Sequence, residues 1–286
     1  MVRFKPKEGV LGAVVENLSL SSLPSENQIL QIETALEKYG VLIFQSQFIS
    51  PAEQIAFSRA FAELELTTRK SARLDENPEI FVVGNVDGQI VSFAPNDGSQ
   101  DLEWHSDHMH LSVPARASLL YCIETPPVGG DTHFACMYSA YDSLSKCEKI
   151  EADKLKAVHC ASGLTKFLNQ KGAEGSVDRH SATKDPVAVI WPLVRKHPLT
   201  HRKALYFGSK VTIAIDGWSQ PKALRYISSL TKRATTDEFC YTHKWKPGDA
   251  LLWDNRRVLH AATPFNMNRY KRRMHRTTWR ETDPII

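Results

Sequence analysis

The stretch Pro247-Gly248-Asp249-Ala250-Leu251-Leu252-Trp253 joins a turn signal to a short apolar run, and this pairing decides the fold class. Proline, glycine and aspartate favour a turn, and an uninterrupted apolar run of this length is typical of a buried strand. Similar runs, separated by turn signals, occur at 80–83, 119–123, 187–190, 204–207 and 239–242. We therefore predict a mainly β fold with flanking helices, arranged as a sandwich or jelly roll.

The first sixty residues have a mixed pattern. Ser25 can cap a helix with Ile29, Ile32 and Leu36 on one stripe, and Gly40 is a typical helix end. A buried strand is predicted directly afterwards, at 41–44. The sequence Ser50-Pro51-Ala52-Glu53 combines an N-cap, an N1 proline and an N3 glutamate, so a second helix is expected over 51–62.

Farther along, helical patterns interrupt the strands near 138–144 and 220–232. Residues 163–185 are polar and poorly periodic, and we interpret them as a long loop of the kind that often covers a site. No stretch resembles a linker. We therefore expect residues 1–286 to form a single domain.

The composition is that of an ordinary globular protein, with 286 residues, 42% hydrophobic and 24% charged residues and a formal charge of +4. The positive charge is partly local, because six basic residues crowd between 269 and 280. A basic cluster can bind nucleic acid, but no recognition module or aromatic platform accompanies this one. We expect a small-molecule substrate and no nucleic-acid partner, and the sequence is compatible with a homo-oligomer.

The cysteines are five in number, widely spaced and without a CxxC pair (Cys122, Cys136, Cys147, Cys160 and Cys240). This pattern argues against a disulfide framework and against a structural zinc site. The first residues contain no apolar signal core, and no run approaches the ~18 apolar residues that span a bilayer. We expect a cytoplasmic protein with no membrane partner.

The chemistry is indicated by Trp104-His105-Ser106-Asp107. If this segment is extended, His105 and Asp107 point the same way and can bind one metal ion. His260, after the apolar run that ends at Trp253, is the best candidate for a third ligand. Two histidines and one carboxylate leave other positions of an octahedron open, as in non-haem Fe(II) oxygenases. The alternative is that the His-x-Asp pair is a surface histidine hydrogen-bonded to a nearby carboxylate.

Arginine spacing near the C-terminus adds a second signal. On an extended segment Arg272 and Arg276 share one face, and burying both is costly without anionic partners. A guanidinium binds a carboxylate through two hydrogen bonds. The pair is thus suited to hold two anions, such as those of a dicarboxylate co-substrate and a substrate. The alternative is an edge strand whose arginines face water.

Together these motifs resemble the Fe(II)/2-oxoglutarate-dependent dioxygenases of the taurine dioxygenase and 2,4-dichlorophenoxyacetate dioxygenase family. The resemblance extends from about residue 9 to residue 278. It rests on the motifs at 104–107, 129–132, 194–198, 203–206, 248–249, 253–256, 260 and 272–276. It implies a double-stranded β-helix, or jelly roll, flanked by helices. It also implies Fe(II), 2-oxoglutarate as co-substrate and O2, with release of succinate and CO2.

Residue roles follow from the resemblance in the same way. His105, Asp107 and His260 would bind iron, and together with Arg276 they form the expected catalytic set. Thr132 and Arg272 would hold the distal carboxylate of 2-oxoglutarate. Because halogenases of this kind lack the carboxylate ligand, Asp107 implies hydroxylation, desaturation or oxidative cleavage instead.

The sequence indicates the substrate less directly than it indicates the cofactors. Arg276 would lie beside the iron and the 2-oxoglutarate and favours a small anionic organic molecule. Asp101 and His108 flank the His-x-Asp motif and are further candidates for contact with substrate. Two alternatives are a Zn(II)-dependent hydrolase, which leaves Thr132 and the arginines unexplained, and a non-catalytic small-molecule-binding barrel.

Overall fold

The computed structural model describes residues 1–67, 69–86, 88, 90–92, 94–95, 101–163, 166 and 187–282, and the chain is mainly β there. The predicted loop at 163–185 lies outside these residues except for Gly163 and Lys166. The strands are β1 (Arg3–Pro6), β2 (Ala13–Glu16), β3 (Val41–Phe44), β4 (Arg73–Leu74), β5 (Asn77–Gly84), β6 (Ala115–Glu124), β7 (Thr132–Cys136), β8 (Lys156–His159), β9 (Val189–Pro192), β10 (Val194–Lys196), β11 (Lys203–Leu205), β12 (Thr212–Ile215), β13 (Cys240–His243), β14 (Ala250–Asp254), β15 (Val258–Ala262) and β16 (Arg273–Arg280).

Helices flank these strands, as predicted. They are α1 (Glu26–Tyr39), α2 (Pro51–Arg59), α3 (Met137–Asp142), α4 (Lys146–Ala152) and α5 (Gln220–Ala234), with 3₁₀ turns at Lys70–Ala72 and Asp237–Phe239. None of the described helices has both the length and the apolar character needed to cross a bilayer.

Two sheets carry three of the predicted site residues, namely Thr132, His260 and Arg276. The large sheet has eight strands in the order β1-β2-β3-β14-β6-β16-β5-β4, and the small sheet has the order β13-β7-β15. Two further sheets have the orders β12-β8-β9 and β10-β11. Because β16 lies between β6 and β5, its arginines are not on an edge strand, which rules out that alternative.

The apolar run that predicted the fold is β14, and both of its faces are buried. Leu251 and Trp253 belong to the same hydrophobic cluster as Phe134 of the small sheet. Ala250 and Leu252 belong to a second cluster, which includes apolar side chains of α1 and α2. A strand between two cores has no polar face, which is why the run lacks alternation.

The N-terminal helices follow their capping signals. The Ser25 side chain accepts a hydrogen bond from the backbone of Gln28, and Gly40 ends α1 with φ +71°. Helix α2 begins at Pro51 as predicted but ends at Arg59, three residues before the predicted end. The last turn tightens into i→i+3 hydrogen bonds, such as that from the Phe61 N–H to the Ser58 carbonyl, and the chain then turns towards β16.

Other predicted elements shift by a few residues. The strand expected at 187–190 is β9 and ends at Pro192, and the strand expected at 204–207 ends at Leu205. The predicted helices at 138–144 and 220–232 correspond to α3 and α5, whereas α4 was not predicted.

Candidate active site

The two histidines of the predicted metal site are joined through their backbones. The His105 N–H donates to the His260 carbonyl at 3.1 Å, and the His260 N–H donates back to the His105 carbonyl at 2.8 Å. The imidazole centroids are 4.2 Å apart. His260 lies within β15 and not at the end of the preceding apolar strand, because a turn separates β14 from β15. This two-bond bridge brings distant parts of the chain to one point.

The turn between β14 and β15 is held by buried charges. Asp254 accepts hydrogen bonds from Nε and Nη2 of Arg256, both at 2.8 Å, and from the Arg256 backbone N–H at 2.9 Å. Nε2 of His197 lies 3.0 Å from the same carboxylate. All three side chains are buried. These motif residues thus position β15, and with it His260.

Asp107 completes a group of three candidate metal ligands. Its Oδ1 lies 4.0 Å from Nε2 of His105 and 3.9 Å from Nε2 of His260. Donor atoms of the three side chains all lie within 4.8 Å of one another, and all three residues are buried. His105 is extended, whereas Asp107 begins a turn, so the segment is only partly the strand that the spacing predicted.

The protonation of these residues suits metal binding. Nδ1 of His105 lies 3.1 Å from the Glu103 carbonyl, which favours a proton on Nδ1 and directs Nε2 as the donor atom for a metal. Burial and the neighbouring His105 lower the pKa of His260 to about 3, so that ring is neutral. Burial opposes ionisation of Asp107, but the adjacent Arg276 guanidinium outweighs it and holds the pKa of this carboxyl well below its ordinary value.

An iron ion fits this donor set. Neutral imidazoles and an ionised carboxylate are the ligands of the two-histidine, one-carboxylate iron centres, which keep positions open for other ligands. Buried Nδ1 of His260 has no hydrogen-bond partner among the described residues. A metal ion at Nε2 would give the ring one polar partner, although Nδ1 would keep none among the described residues.

Arg272, directly before β16, is a buried cation with an unusual environment. Its Nε donates to the Gly130 carbonyl at 3.2 Å, and its backbone N–H donates to Oδ1 of Asn85 at 2.8 Å. Within the described part of the chain, no carboxylate lies within ion-pair distance of its guanidinium. Burial lowers the pKa of Arg272 to about 10, against the opposing effect of Cys122 and Asp131. A buried guanidinium of this kind is suited to an anionic ligand.

Gly84 permits this position of Arg272. With φ +154°, it brings its backbone against that of Arg272, and a Cβ there would lie 1.7 Å from the Arg272 carbonyl oxygen. Any side chain at this position would therefore displace the strand that carries the arginine.

Thr132 is the first residue of β7, and its hydroxyl is already partly engaged. Nε1 of Trp245 donates to Oγ1 of Thr132 at 2.9 Å, and both residues are buried. Because the hydroxyl oxygen accepts from the indole, its own hydrogen remains available for an anion. No sequence signal pointed to Trp245, which occurs in an unremarkable polar stretch.

Arg276 contacts Asp107 directly. One of its guanidinium nitrogens forms a short ion pair with Asp107 Oδ1, and its guanidinium lies 4.8 Å from the centre of the Phe81 ring. Its Nε is buried without a hydrogen-bond partner among the described residues. Arg276 therefore links the candidate metal ligands to the neighbouring strand β5.

One pocket joins these groups. It lies between the large and the small sheet and opens to solvent. Its lining places the two histidines together with Thr132 and both arginines, as the strand alternation predicted for Arg272 and Arg276. The full lining is Val83, Ser92, His105, Leu120, Thr132, Trp253, His260, Ala262, Arg272 and Arg276.

The other two candidate substrate residues differ in placement. His108 follows Asp107 with φ +56° and is half-buried, and burial and the charge of Arg276 lower its pKa to about 3. Asp101 is exposed, and both of its carboxylate oxygens lie 2.7 Å from Nζ of Lys210. The structure therefore brings His108, but not Asp101, close to Arg276 and the candidate metal ligands.

The chain matches known proteins over nearly its whole length. The family model described as taurine catabolism dioxygenase TauD, TfdA family, matches residues 3–278. The chain is 30% identical over 282 residues to an alpha-ketoglutarate-dependent 2,4-dichlorophenoxyacetate dioxygenase of Cupriavidus pinatubonensis, with 96% of each chain covered. It is 32% identical over 272 residues to an (S)-phenoxypropionate/alpha-ketoglutarate-dioxygenase of Sphingobium herbicidovorans, which covers 94% of this chain and 92% of that relative.

A solved structure agrees with these matches. The crystal structure of AAD-2 in complex with Mn(II) and N-oxalylglycine is similar with a TM-score of 0.82 and 28% sequence identity, over 100% of both chains. The sequence motifs, the pocket and these matches lead to the same assignment. The chain belongs to the TauD/TfdA family of 2-oxoglutarate-dependent dioxygenases.

Proposed function

We propose that this 2-oxoglutarate-dependent dioxygenase oxidises a small anionic organic molecule by hydroxylation, desaturation or oxidative cleavage. The observation that carries the proposal is a pair of buried arginines that share one pocket with His105 and His260. Arg272, which has no carboxylate partner among the described residues, would serve the co-substrate, and Arg276 would serve an anionic substrate. Relatives whose names specify phenoxy-acid substrates support the anionic class. A zinc hydrolase and a non-catalytic barrel have no such support.

In this proposal His105, Asp107 and His260 bind Fe(II), which with 2-oxoglutarate and O2 supplies the oxidising power and releases succinate and CO2. Arg272 and Thr132 hold the distal carboxylate of 2-oxoglutarate through charge-assisted hydrogen bonds. The Mn(II) and N-oxalylglycine in the AAD-2 structure support this choice, because N-oxalylglycine is also a dicarboxylate.

Arg276 gives the proposed substrate its orientation. Its position beside Asp107 would direct an anionic group of the substrate towards the metal side of the pocket, with His108 as a second contact. The Asp101 carboxylate forms an ion pair with Lys210, and we do not propose Asp101 as a contact of the substrate. Apolar Val83 and Leu120 in the lining help to exclude water from the reacting groups.

Further proposals concern the whole molecule. The two facing sheets support a double-stranded β-helix, and contacts between strands near both ends of the chain support a single domain over 1–286. A homo-oligomer and a cytoplasmic location stay predictions.

A substrate panel tests the proposed function. Succinate release would be measured with Fe(II), 2-oxoglutarate and O2 in the presence of phenoxyacetates, phenoxypropionates or alkyl sulfonates, each paired with its neutral amide. We expect at least one anion to accelerate succinate release strongly over its amide, because only the anion can pair with Arg276. Equal rates for every pair would contradict the anionic class.

The metal site has a separate test. Anaerobic addition of Fe(II) and 2-oxoglutarate should produce a weak visible charge-transfer band in the wild-type protein. The band should be absent in Asp107→Ala and His260→Ala and present in Asp101→Ala, the matched control outside the pocket. A band that survives in His260→Ala would show that the ligands are assigned wrongly.

A further inference from the structure

The two carboxylate oxygens of Asp107 have different surroundings. Oδ1 faces Nε2 of His105 and Nε2 of His260. Oδ2 points away from them and accepts a hydrogen bond from Oγ of Ser118, on β6, at 2.6 Å. The carboxylate therefore presents Oδ1, which is also ion-paired with Arg276, to the candidate metal position, while the Ser118 hydroxyl holds Oδ2.

Asn255 determines the direction of this hydroxyl. Its Oδ1 accepts hydrogen bonds from the Asp107 backbone N–H at 3.1 Å and from Nε1 of Trp253 at 2.9 Å. Its Nδ2 donates to Oγ of Ser118 at 3.0 Å. Since both partners of Oδ1 are N–H groups, the amide has only one satisfied orientation. Ser118 must then use its single hydrogen for Asp107.

This network is sealed from solvent. Ser118 is 0% exposed, Asn255 and Trp253 are each 1% exposed, and Asp107 is 3% exposed. In such surroundings a lost hydrogen bond is not replaced by water, so rotating the carboxylate away from Ser118 is unfavourable. The two residues that hold Asp107, Ser118 and Asn255, lie outside the pocket lining.

We propose that Ser118 and Asn255 are positioning residues that make Asp107 bind the metal through Oδ1 while keeping Oδ2 away from it. The proposal rests on the metal site proposed above. If a metal were bound, an Asp107 carboxylate held in this way would supply one oxygen ligand beside the two histidines and would leave positions for the co-substrate and O2.

Mn(II) affinity tests the proposal without relying on turnover. The Kd would be measured by electron paramagnetic resonance of free Mn(II) for the wild type, Ser118→Ala, Ser118→Thr and Ser58→Ala. We expect Ser118→Ala to weaken Mn(II) binding by about 10- to 100-fold, the usual effect of removing a residue that orients a metal ligand. Ser118→Thr retains the hydroxyl and should restore most of the affinity.

Ser58→Ala is the matched control, because Ser58 is also fully buried but its hydroxyl bonds Oγ1 of Thr277 at 2.7 Å. It should leave the Kd within about twofold of the wild type. A purely structural role for Ser118 would be indicated by equal effects of Ser118→Ala and Ser58→Ala, and that result would overturn the proposal.

His260→Ala separates failure of the inference from failure of the metal site. If His260→Ala retains wild-type Mn(II) affinity, the proposed metal site is wrong. If His260→Ala abolishes binding while Ser118→Ala leaves it unchanged, the metal site stands and only the role of Ser118 and Asn255 is wrong.

Discussion

Arg276 is ion-paired with the same carboxylate oxygen of Asp107 that faces both histidines. Both partners are buried, at 6% and 3% exposure. A buried guanidinium without its counter-ion is costly, so Asp107 has a structural role in addition to its proposed role as ligand.

We expect Asp107→Ala to lower the free energy of unfolding of the chelator-treated protein by about 3–5 kcal/mol, because it leaves Arg276 buried without its ion-pair partner. The double variant Asp107→Ala/Arg276→Met should recover most of this loss. Urea unfolding of both variants measures the difference. Equal stabilities of the single and double variants would contradict the energetic importance of the pair.

A substitution at Arg272 should separate co-substrate binding from folding. Arg272→Met removes charge-assisted hydrogen bonds of roughly 1.5–3 kcal/mol, so the KM for 2-oxoglutarate should rise about 10- to 150-fold. Stability should not fall comparably, since no carboxylate among the described residues loses an ion-pair partner. Initial rates of succinate formation against 2-oxoglutarate concentration provide the KM.

Arg269→Met, at an exposed arginine three positions earlier, is the control for Arg272→Met and should leave the KM unchanged. An unchanged KM in Arg272→Met as well would mean that 2-oxoglutarate does not use this guanidinium.

Trp245 should influence the same subsite through Thr132. Trp245→Phe keeps an aromatic ring but removes the N–H that bonds Oγ1 of Thr132. A neutral hydrogen bond of about 0.5–1.5 kcal/mol corresponds to a two- to thirteenfold rise in the KM for 2-oxoglutarate. In a double-mutant cycle with Thr132→Val, the effects of the two substitutions on the KM should not add, because both break the same hydrogen bond between Trp245 and Thr132. Additive effects would show that Trp245 acts by another route.

Acid should destabilise the fold partly through His159. Burial lowers the pKa of this residue from 6.5 to about 3, so below pH 6.5 the unfolded state takes up a proton that the native state does not. Stability is therefore lost as the pH falls, at about 1.4 kcal/mol per pH unit for this group. His159→Gln removes the titrating group. Between pH 7 and pH 5 the wild type should therefore lose about 2 kcal/mol more of its free energy of unfolding than the variant loses.

Urea unfolding of both proteins at a series of pH values measures this shift. His260, His108 and His110 also have lowered pKa values but are present in both proteins, so their contributions cancel. A stability difference that does not change with pH would contradict a neutral, buried His159.

Local signals in the sequence predicted the parts of the fold that depend on neighbouring residues. Ser25 and Gly40 define the ends of α1 because capping uses groups within one turn. Alternation along an extended strand predicted that Arg272 and Arg276 reach one pocket. By contrast, the ion pair between Arg276 and Asp107 depends on the register of β16 beside β6, which no local pattern encodes.

Other features of the site could not be predicted from local sequence patterns, because they also depend on contacts between distant segments. The hydrogen bond from Trp245 to Thr132 crosses between separate segments, and nothing in the residues around Trp245 distinguishes it from a core tryptophan. The place of His260 within β15 depends on the turn formed by Asp254 and Arg256, whose buried ion pair no local pattern predicts. Asp101 was a candidate by proximity in sequence alone, and its pairing with Lys210 depends on a distant segment.

The backbone bridge between His105 and His260 has a kinetic consequence. Closing a loop of roughly 150 residues costs on the order of 4 kcal/mol in chain entropy, so this contact cannot form early on its own. We therefore expect the bridge to form only after contacts of the large sheet have brought these segments close together. A nascent chain that has not yet reached residue 260 should consequently lack one of the three proposed metal ligands and the bridge that positions it.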